Sequence, residues 1–258
     1  WAVAYRLSWA WEDSLVWIKQ EWPEERLWAP VGEWGKIDWN RCMAAFFPPG
    51  VTFYRVPLPL CEAWKETLER PIHIEEAQGD WDYIYMAEEL RSLSGNRFHK
   101  KKNLVNQFWK AFPDARYLSM DSAVATNALD LQEDWCLWRD CEASDMLANE
   151  NQVIARVLGA WESLSGISGG SIMVEDTMVA YTVGEQVAPD TLIIHFEKGH
   201  QDYKGCYQAI NQIFLQKSAN DIRWVNREQD LGDPGLRKAK LSYQPADYLR
   251  KSTVVIGP

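Results

Sequence analysis

Apolar and polar side chains alternate along the first strand-sized segment of the chain. Between residues 3 and 11 every second side chain is apolar, and the run ends in Trp9 and Trp11. Residues 12–14 (Glu-Asp-Ser) supply a turn signal, and residues 15–18 resume an apolar run. A period of two is typical of a half-buried strand, so this segment predicts a β-hairpin. We expect both tryptophans to pack in the core of the first domain, because they share one strand face with other apolar side chains.

The rest of the chain mixes strand-like runs with helical periodicity. Further strands are predicted over residues 51–58, 72–75, 171–174, 178–184, 191–197 and 222–226. Helices are predicted over residues 62–69, 80–93, 97–109, 149–164 and 203–217. This order of elements predicts an α/β (α+β) fold, with mixed sheets flanked by helices.

The composition excludes several classes of protein. Of the 258 residues, 47% are hydrophobic and 13% aromatic, which is too apolar for a disordered chain. No apolar run approaches the ~20 residues that span a bilayer, so no transmembrane segment is expected. The formal net charge of −10 disfavours broad non-specific nucleic-acid binding. We therefore expect a globular, cytoplasmic protein.

The cysteines and histidines do not form a recognisable ligand pattern. The five cysteines are scattered without a C-x-x-C pair, and the four histidines do not cluster with them. We expect reduced structural thiols, as is usual in the cytoplasm, and no metal site.

Two charged segments stand out against this background. Residues 96–110 contain five basic residues and no acidic one, which fits either a solvated helix face or a groove that faces phosphate. Residues 226–243 combine dense charge with two glycines and a proline directly after a predicted strand. In the second segment, Arg227 could pair with neighbouring carboxylates. Alternatively, Arg237 and Lys240 could hold an anionic substrate beside Tyr243.

A histidine and a glutamate lie at the end of the predicted strand 191–197. His195 and Glu197 are two residues apart, so in a strand they point to the same face. An imidazole and a carboxylate placed together can act as a general base near neutral pH. The alternative is that they are polar neighbours with a structural role only. In the turn that follows, Gly205 could let an anion approach the start of the next helix, although packing explains a single glycine equally well.

The charged C-terminal segment also carries a family resemblance. The sequence N-R-E-x-D-L-G-x-x-G-L-R-K-A-K-x-S-Y-x-P, from Asn226 to Pro245, resembles the signature of a bacterial family of unknown function. That family is grouped with the C-terminal domain of phosphatidylglycerol lysyltransferase. The segments L-x-G-x-x-x-H-K-K-x-N-x-x-N-x-F (93–108), H-x-E-K (195–198) and G-x-Y-x-x-x-N (205–211) agree with it.

The resemblance implies two acyltransferase-like (GNAT) domains in tandem, over residues 1–118 and 119–258, the first of them lacking its initial elements. Residues 191–217 would then bind the acyl donor. Residues 201–206 depart from the Q/R-x-x-G-x-G/A loop of coenzyme A-dependent members. The donor is therefore either an acyl-coenzyme A thioester or an aminoacyl-tRNA, and no covalently bound cofactor is expected.

The resulting functional hypothesis is transfer of an acyl or aminoacyl group to the amine or hydroxyl of a small molecule or peptide. The catalytic candidates are His195, Glu197 and Tyr243. His195 or Glu197 would take the acceptor proton, and Tyr243 would steady or protonate the leaving group. The candidates for substrate or donor binding are Lys100, Lys102, Asn103, Lys198, Gly205, Tyr207, Asn211, Asn226, Arg227, Glu228, Arg237 and Lys240.

Two alternatives from other functional classes stay open. The chain could be a ligand-binding or regulatory protein that keeps the fold without the chemistry. It could also bind carbohydrate through its tryptophan-rich start, since eight of the 15 tryptophans lie within the first 40 residues.

Overall fold

The computed structural model of the chain describes residues 1–219 and 221–258, and it divides them into two compact units. The first unit comprises Trp1–Asp82, Gln229–Arg237 and Tyr248–Pro258, and the second comprises Tyr83–Glu228 and Lys238–Asp247. Residue 118, where the sequence predicts a domain boundary, falls inside the second unit, because the strand that contains it pairs within that unit.

Fourteen strands are found in the described residues. They are β1 (Ser8–Glu12), β2 (Leu15–Gln20), β3 (Arg26–Trp28), β4 (Val31–Gly32), β5 (Val51–Pro57), β6 (Ile72–Glu76), β7 (Asp82–Met86), β8 (Arg116–Ser119), β9 (Ile167–Val174), β10 (Thr177–Ala188), β11 (Thr191–Gly199), β12 (Trp224–Asn226), β13 (Asp247–Leu249) and β14 (Lys251–Ile256).

Eight α-helices lie between them in the same part of the chain. They are α1 (Trp39–Phe46), α2 (Leu58–Thr67), α3 (Ala87–Ser92), α4 (His99–Ala111), α5 (Ser122–Arg139), α6 (Asp145–Gly159), α7 (Cys206–Ser218) and α8 (Pro234–Leu241).

The strands form two mixed sheets, which confirms the predicted fold class. The first sheet has the order β1-β2-β3-β5-β14-β6, with β4 on β2, and its β3–β5 pair is parallel. The second has the order β13-β7-β12-β11-β10-β9-β8, and its β11–β12 pair is parallel. The predicted hairpins appear as β1–β2 and β9–β10.

The prediction that Trp9 and Trp11 pack in the core is wrong. Both lie on β1, which is an edge strand, and their side chains are 61% and 73% exposed. The core of the first unit is built instead around Trp39, Phe53 and Trp64, which are buried together. An edge strand has a neighbour on one side only, so alternation along it need not indicate burial. Carbohydrate binding through the exposed tryptophans stays a prediction.

The helix predicted over residues 80–93 is also wrong over its first half. Residues Asp82–Met86 form β7, which pairs antiparallel with β12, and only Ala87–Ser92 are helical. The alternating aromatic and apolar residues at this point suit a strand as well as a helix face. Pairing with a strand more than a hundred residues away therefore decides the conformation.

Two of the cysteines differ from the expectation of reduced thiols. Cys136 and Cys141 are joined in a disulfide that ties the end of α5 to the residues that follow it. Cys42, Cys61 and Cys206 are free and buried. Burial raises the pKa of Cys206 to about 12 and that of Cys42 to about 11, so neither is a reactive thiolate at neutral pH.

This pairing predicts a thiol count. The chain denatured without reductant is expected to show three thiols that react with a colorimetric disulfide reagent, rising to five after full reduction. The native chain should react slowly, because the three free thiols are buried. Five thiols before reduction would contradict the disulfide, and peptide mapping of the 136–141 segment would locate the bond.

Within residues 1–219 and 221–258, no helix combines the length and the apolar character that a bilayer crossing requires.

Candidate functional site

The candidate site lies in the second unit, where two parallel strands separate. Strands β11 and β12 pair from Thr191–Trp224 to Ile193–Asn226, and helix α7 connects them. Beyond this pairing β12 ends, while β11 continues to Gly199. In open α/β sheets, ligands bind where the carboxyl ends of parallel strands part. His195 and Glu197 lie on β11 beyond the paired segment, and Arg227 and Glu228 directly follow β12.

His195 sits at an irregularity in the β10–β11 pairing. Val183 pairs with Phe196 and Gly184 pairs with Ile194, so His195 is an extra residue on its strand. Such a bulge re-aims a side chain and is common beside active sites. Gly184 is required here, because a Cβ at that position would lie 2.8 Å from the Ile193 carbonyl oxygen.

Both ring nitrogens of His195 contact carboxylates. Nδ1 lies 2.9 Å from Glu228 Oε1, and Nε2 lies 2.9 Å from Glu185 Oε2. The main chain of Glu228 is fixed in turn, because its N–H donates to Asn226 Oδ1 at 2.7 Å. The imidazole is 15% exposed, against 43% for Glu185 and 27% for Glu228. Glu185 is thus the outer partner and Glu228 the inner one.

The two carboxylates raise the pKa of His195 above its ordinary value. Burial by itself disfavours the charged ring, but the hydrogen bonds and negative charges of Glu228 and Glu185 outweigh that effect. Glu228 and Glu185 contact different nitrogens of the ring, so they are not arranged to bind one metal ion together. In the described part of the chain, no group of three or more His, Cys, Asp or Glu side chains could hold a metal.

The raised pKa predicts how stability depends on pH. A folded-state pKa above the unfolded value means that protonated His195 stabilises the fold below about pH 6.5. This contribution is lost as the pH rises through the folded-state value. The wild type should unfold with a larger free energy than His195→Gln at low pH, and this difference should shrink as the pH rises above about 6.5 in urea titrations. A difference that stays constant or grows with pH would contradict the assignment, and Glu228→Gln should flatten the dependence.

Glu197 does not pair with His195 but with two other side chains. Its Oε1 accepts from Arg227 Nη2 at 2.9 Å, and its Oε2 accepts from Asn211 Nδ2 at 2.9 Å. Glu197 and Arg227 are 9% and 12% exposed, so the ion pair is largely removed from water. Both of its oxygens are occupied, and Glu197 is therefore better arranged to position Arg227 than to take a proton itself.

Tyr243 is buried beside this ion pair, and two cations lie close to its ring. The Arg227 guanidinium lies 4.7 Å from the centroid of its ring, and Lys101 Nζ lies 4.1 Å from the same centroid. Burial raises the pKa of Tyr243 well above its usual value, although the charge of Arg227 works against this. The phenol is therefore neutral at physiological pH and keeps its proton to donate.

Lys101 is the residue that sequence reasoning missed. Burial and the charge of Arg227 lower its pKa to about 8, while Glu197 works in the opposite direction. The sequence singled out Lys100 and Lys102 instead, and both are exposed on α4. Helical spacing carries the missing signal, because Lys101 lies four residues before the buried Val105 and so shares its face.

Three of the predicted binding residues have partners other than His195 and Glu197, namely Lys198, Tyr207 and Gly205. The buried Lys198 pairs with Glu150 at 2.8 Å, and its Nζ lies 3.8 Å from the Trp135 ring centroid. The Tyr207 hydroxyl accepts from Trp135 Nε1 at 2.8 Å. Gly205 has φ +93°, and a Cβ there would lie 2.5 Å from the Leu104 carbonyl oxygen, so packing of α7 against α4 accounts for this glycine.

The remaining predicted anion-binding residues have internal partners or lie on the surface. Lys240 Nζ donates to the carbonyl oxygens of Arg227 and Glu228 at 2.6 and 3.0 Å, and so holds the loop that carries both residues. Arg237 belongs to the first unit, where it forms a bidentate ion pair with the buried Asp230. Asn103 is exposed on α4 together with Lys100 and Lys102.

The turn before α7 satisfies much of its own backbone. The N–H of Asp202 donates to His200 Nδ1 at 3.2 Å, and that of Tyr203 donates to the His200 carbonyl at 3.3 Å. The N–H of Cys206 donates to the Tyr203 carbonyl at 3.1 Å. Three N–H groups at the predicted donor-binding turn are therefore already engaged within the turn.

Solved structures share this fold. A conserved protein of unknown function from Bacteroides thetaiotaomicron superimposes with a TM-score of 0.87 at 28% identity, over 99% of this chain and 88% of that one. The C-terminal domain of a protein described as a lysylphosphatidylglycerol synthetase, from Agrobacterium fabrum, has a TM-score of 0.66 at 8% identity, over 98% and 84% of the two chains. At that identity the second likeness shows the fold alone.

Sequence comparison gives the family. An uncharacterised protein of Mycoplasmoides gallisepticum is 21% identical over 176 residues, which are 68% of this chain and 56% of that protein. The match thus spans little more than half of the curated relative. The family profile described as phosphatidylglycerol lysyltransferase, C-terminal, matches residues 7–255. The chain therefore belongs to the phosphatidylglycerol lysyltransferase C-terminal family.

Proposed function

We propose that the chain transfers an aminoacyl group to an amine or hydroxyl acceptor, with His195 as the general base. The observation that carries this proposal is the position of His195: it lies on a strand bulge at the parting of β11 and β12, between Glu185 and Glu228. A histidine oriented by a carboxylate at one nitrogen can take a proton at the other.

The two carboxylates have different parts in the proposed step. Glu228 is the less exposed, its main chain is held by Asn226, and it keeps the proton on His195 Nδ1. Glu185 is the more exposed partner, so an incoming acceptor can displace it from Nε2. The acceptor nitrogen or oxygen then loses its proton to Nε2 as it forms a bond to the donor carbonyl carbon.

Breakdown of the tetrahedral intermediate completes the transfer. The bond between the carbonyl carbon and the leaving oxygen of the donor breaks, and that oxygen takes a proton. We assign this proton to the neutral hydroxyl of Tyr243, which the proton held by His195 then restores through solvent. The high pKa of Tyr243 keeps the hydroxyl protonated until the leaving oxygen becomes negative.

Aminoacyl-tRNA is favoured over coenzyme A thioesters as the donor. The turn before α7 already uses three of its N–H groups internally, and packing explains Gly205, so the turn offers little to cradle a pyrophosphate. The exposed basic residues of α4, Lys100 and Lys102 among them, suit a polyanionic donor.

A transfer assay on the purified chain tests the proposal. Total tRNA charged with radiolabelled amino acids and labelled acetyl-coenzyme A serve as alternative donors, with small molecules dialysed from a bacterial extract as acceptors. Label is expected to pass from tRNA to a small product, above the hydrolysis seen without protein. Transfer from acetyl-coenzyme A alone would overturn the donor assignment.

The same samples separate an enzyme from a binding protein. A ligand present at 100 times its dissociation constant stabilises the fold by about 2.7 kcal/mol, which a melting curve detects. A melting shift with neither donor consumed would overturn the catalytic proposal and favour a regulatory role.

A further inference from the structure

The buried cluster around Glu197 carries more positive than negative charge. Arg227 and Lys101 both lie close to the ring of Tyr243, and Glu197 is the carboxylate hydrogen-bonded to Arg227. Among residues 1–219 and 221–258, Lys101 Nζ has no salt bridge, and its contact is with the face of the Tyr243 ring. Lys101 is half-buried. A cation that is partly removed from water without a salt-bridge partner is destabilised, unless a ligand supplies the missing charge.

Two polar atoms of the same cluster are buried without a hydrogen-bond partner. They are Arg227 Nη1 and Asn211 Oδ1. Each belongs to a side chain whose other end is fixed on Glu197, Arg227 through Nη2 to Oε1 and Asn211 through Nδ2 to Oε2. The amide of Asn211 cannot be reversed without turning its oxygen toward that carboxylate, so the free acceptor is set by the network.

Buried polar groups are nearly always hydrogen-bonded, and one that lacks a partner within the protein calls for a water, an ion or a ligand to complete it. Two such atoms held by one carboxylate, beside a cation without a salt bridge, favour a ligand. Three groups of this cluster could contact a ligand. The Arg227 Nη1–H and the Lys101 ammonium are cationic donors suited to an oxyanion, and the Asn211 amide oxygen can accept a hydrogen bond. One small molecule with an oxyanion next to a hydroxyl or amine would satisfy all three groups.

The geometry points to a substrate subsite in which Arg227 Nη1 and Lys101 Nζ bind an oxyanion, a carboxylate or a phosphate, and Asn211 Oδ1 accepts a hydrogen bond from a neighbouring hydroxyl or amine. That the bound molecule is a substrate rests on the proposed function, whereas binding of the oxyanion does not. Glu197, which holds both Arg227 and Asn211, lies two residues from the proposed base His195 on β11. Such an arrangement would hold the acceptor by its charged group near that base.

Calorimetric titration of the whole chain with three matched probes tests this subsite. Glycerate carries a carboxylate beside hydroxyls, glycerol 3-phosphate carries a phosphate, and glycerol has no charge. We expect one or both anions to bind and glycerol not to bind, with the stronger anion identifying the source of the oxyanion. Equal binding of all three probes, or of none at millimolar concentrations, would overturn the inference.

Two neighbouring lysines on α4 provide the variant and its control. Lys101→Met removes the charge over Tyr243, while Lys102→Met removes an exposed charge one residue away. A charge-assisted hydrogen bond is worth about 1.5–3 kcal/mol, so Lys101→Met should raise the dissociation constant of the anion by about tenfold to a hundredfold. Lys102→Met should change it less than about twofold. Equal effects of the two variants would show general charge attraction and overturn the subsite.

The pH dependence provides a readout that a structural role would not change. Three groups face Lys101: Arg227 after β12, Glu197 on β11 and Tyr243 after α8. The pKa of Lys101 is about 8, whereas burial raises the pKa of Tyr243 well above its usual value. Anion affinity should therefore fall as the pH rises through about 8 in the wild type, and this fall should vanish in Lys101→Met. Binding without turnover would support the subsite and count against the catalytic proposal alone, so the two failures are distinguishable.

Discussion

Replacing His195 with glutamine is expected to lower the rate of aminoacyl transfer by about a hundredfold to ten-thousandfold, the usual contribution of a general base. Glutamine keeps a polar group between Glu185 and Glu228, but it cannot take a proton at neutral pH. The loss should appear in the turnover number, with donor binding little changed, because the proposed role is confined to the chemical step. Single-turnover measurements with charged tRNA would separate the two effects.

The matched control is His73→Gln. His73 is exposed on β6 of the first unit and has no part in the proposed step. This variant should transfer at the wild-type rate. If His195→Gln stayed within about threefold of the wild type, His195 would be only a structural partner of its two carboxylates.

The pH profile of the rate provides an independent check on the same residue. His195 must be neutral at Nε2 to accept a proton, so the rate should rise with pH through its raised pKa. In Glu228→Gln one of the two negative charges is removed, and this limb of the profile should move to lower pH. Movement toward higher pH would have the wrong sign for the proposed arrangement.

Replacing Glu197 with glutamine is expected to produce the largest loss of stability, about 3–5 kcal/mol. Breaking a buried ion pair leaves the remaining charge without compensation, and Arg227 is almost fully enclosed. Loss of the carboxylate should also lower the pKa of Lys101 further, since Glu197 is the charge that raises it. Urea unfolding measures the first effect, and the pH dependence of anion binding measures the second.

Glu175→Gln provides the control, because Glu175 lies exposed in the turn between β9 and β10. It should change the free energy of unfolding by less than about 0.5 kcal/mol. The double variant Glu197→Gln/Arg227→Gln removes both charges and should recover part of the loss. A loss below about 1 kcal/mol in Glu197→Gln would mean that water or another group already compensates Arg227.

Some features of the site follow from the sequence because they depend on neighbours along the chain. The order of strand, turn and helix from residue 191 to 218 follows from local periodicity and from a glycine at a helix start. The charged segment after β12 is conspicuous in the sequence for its density of ionisable groups. For this reason residue type and local pattern identify four of the site residues as candidates: His195, Glu197, Arg227 and Tyr243.

The partners of those candidates could not be found in this way. Periodicity placed His195 and Glu197 on one face and suggested that they pair, whereas His195 contacts Glu185 and Glu228. Glu185 comes from the opposite strand and Glu228 lies 33 positions along the chain from His195, so neither is a near neighbour in sequence. Local pattern also does not show which strand lies at a sheet edge. The core position predicted for Trp9 is wrong for this reason.

Residue type and local spacing are enough to identify the family, the mixed α/β class and the segments that carry ionisable side chains. Which charges meet, and which have no salt-bridge partner, emerges only from the folded chain. The bulge in β11 places His195 between two carboxylates. Lys101, unlike Lys100 and Lys102, lies on the face of α4 that contacts Tyr243. The physical reason is that pairing and burial are set by strand register and helix packing across large separations in the chain, where one residue of displacement changes every contact.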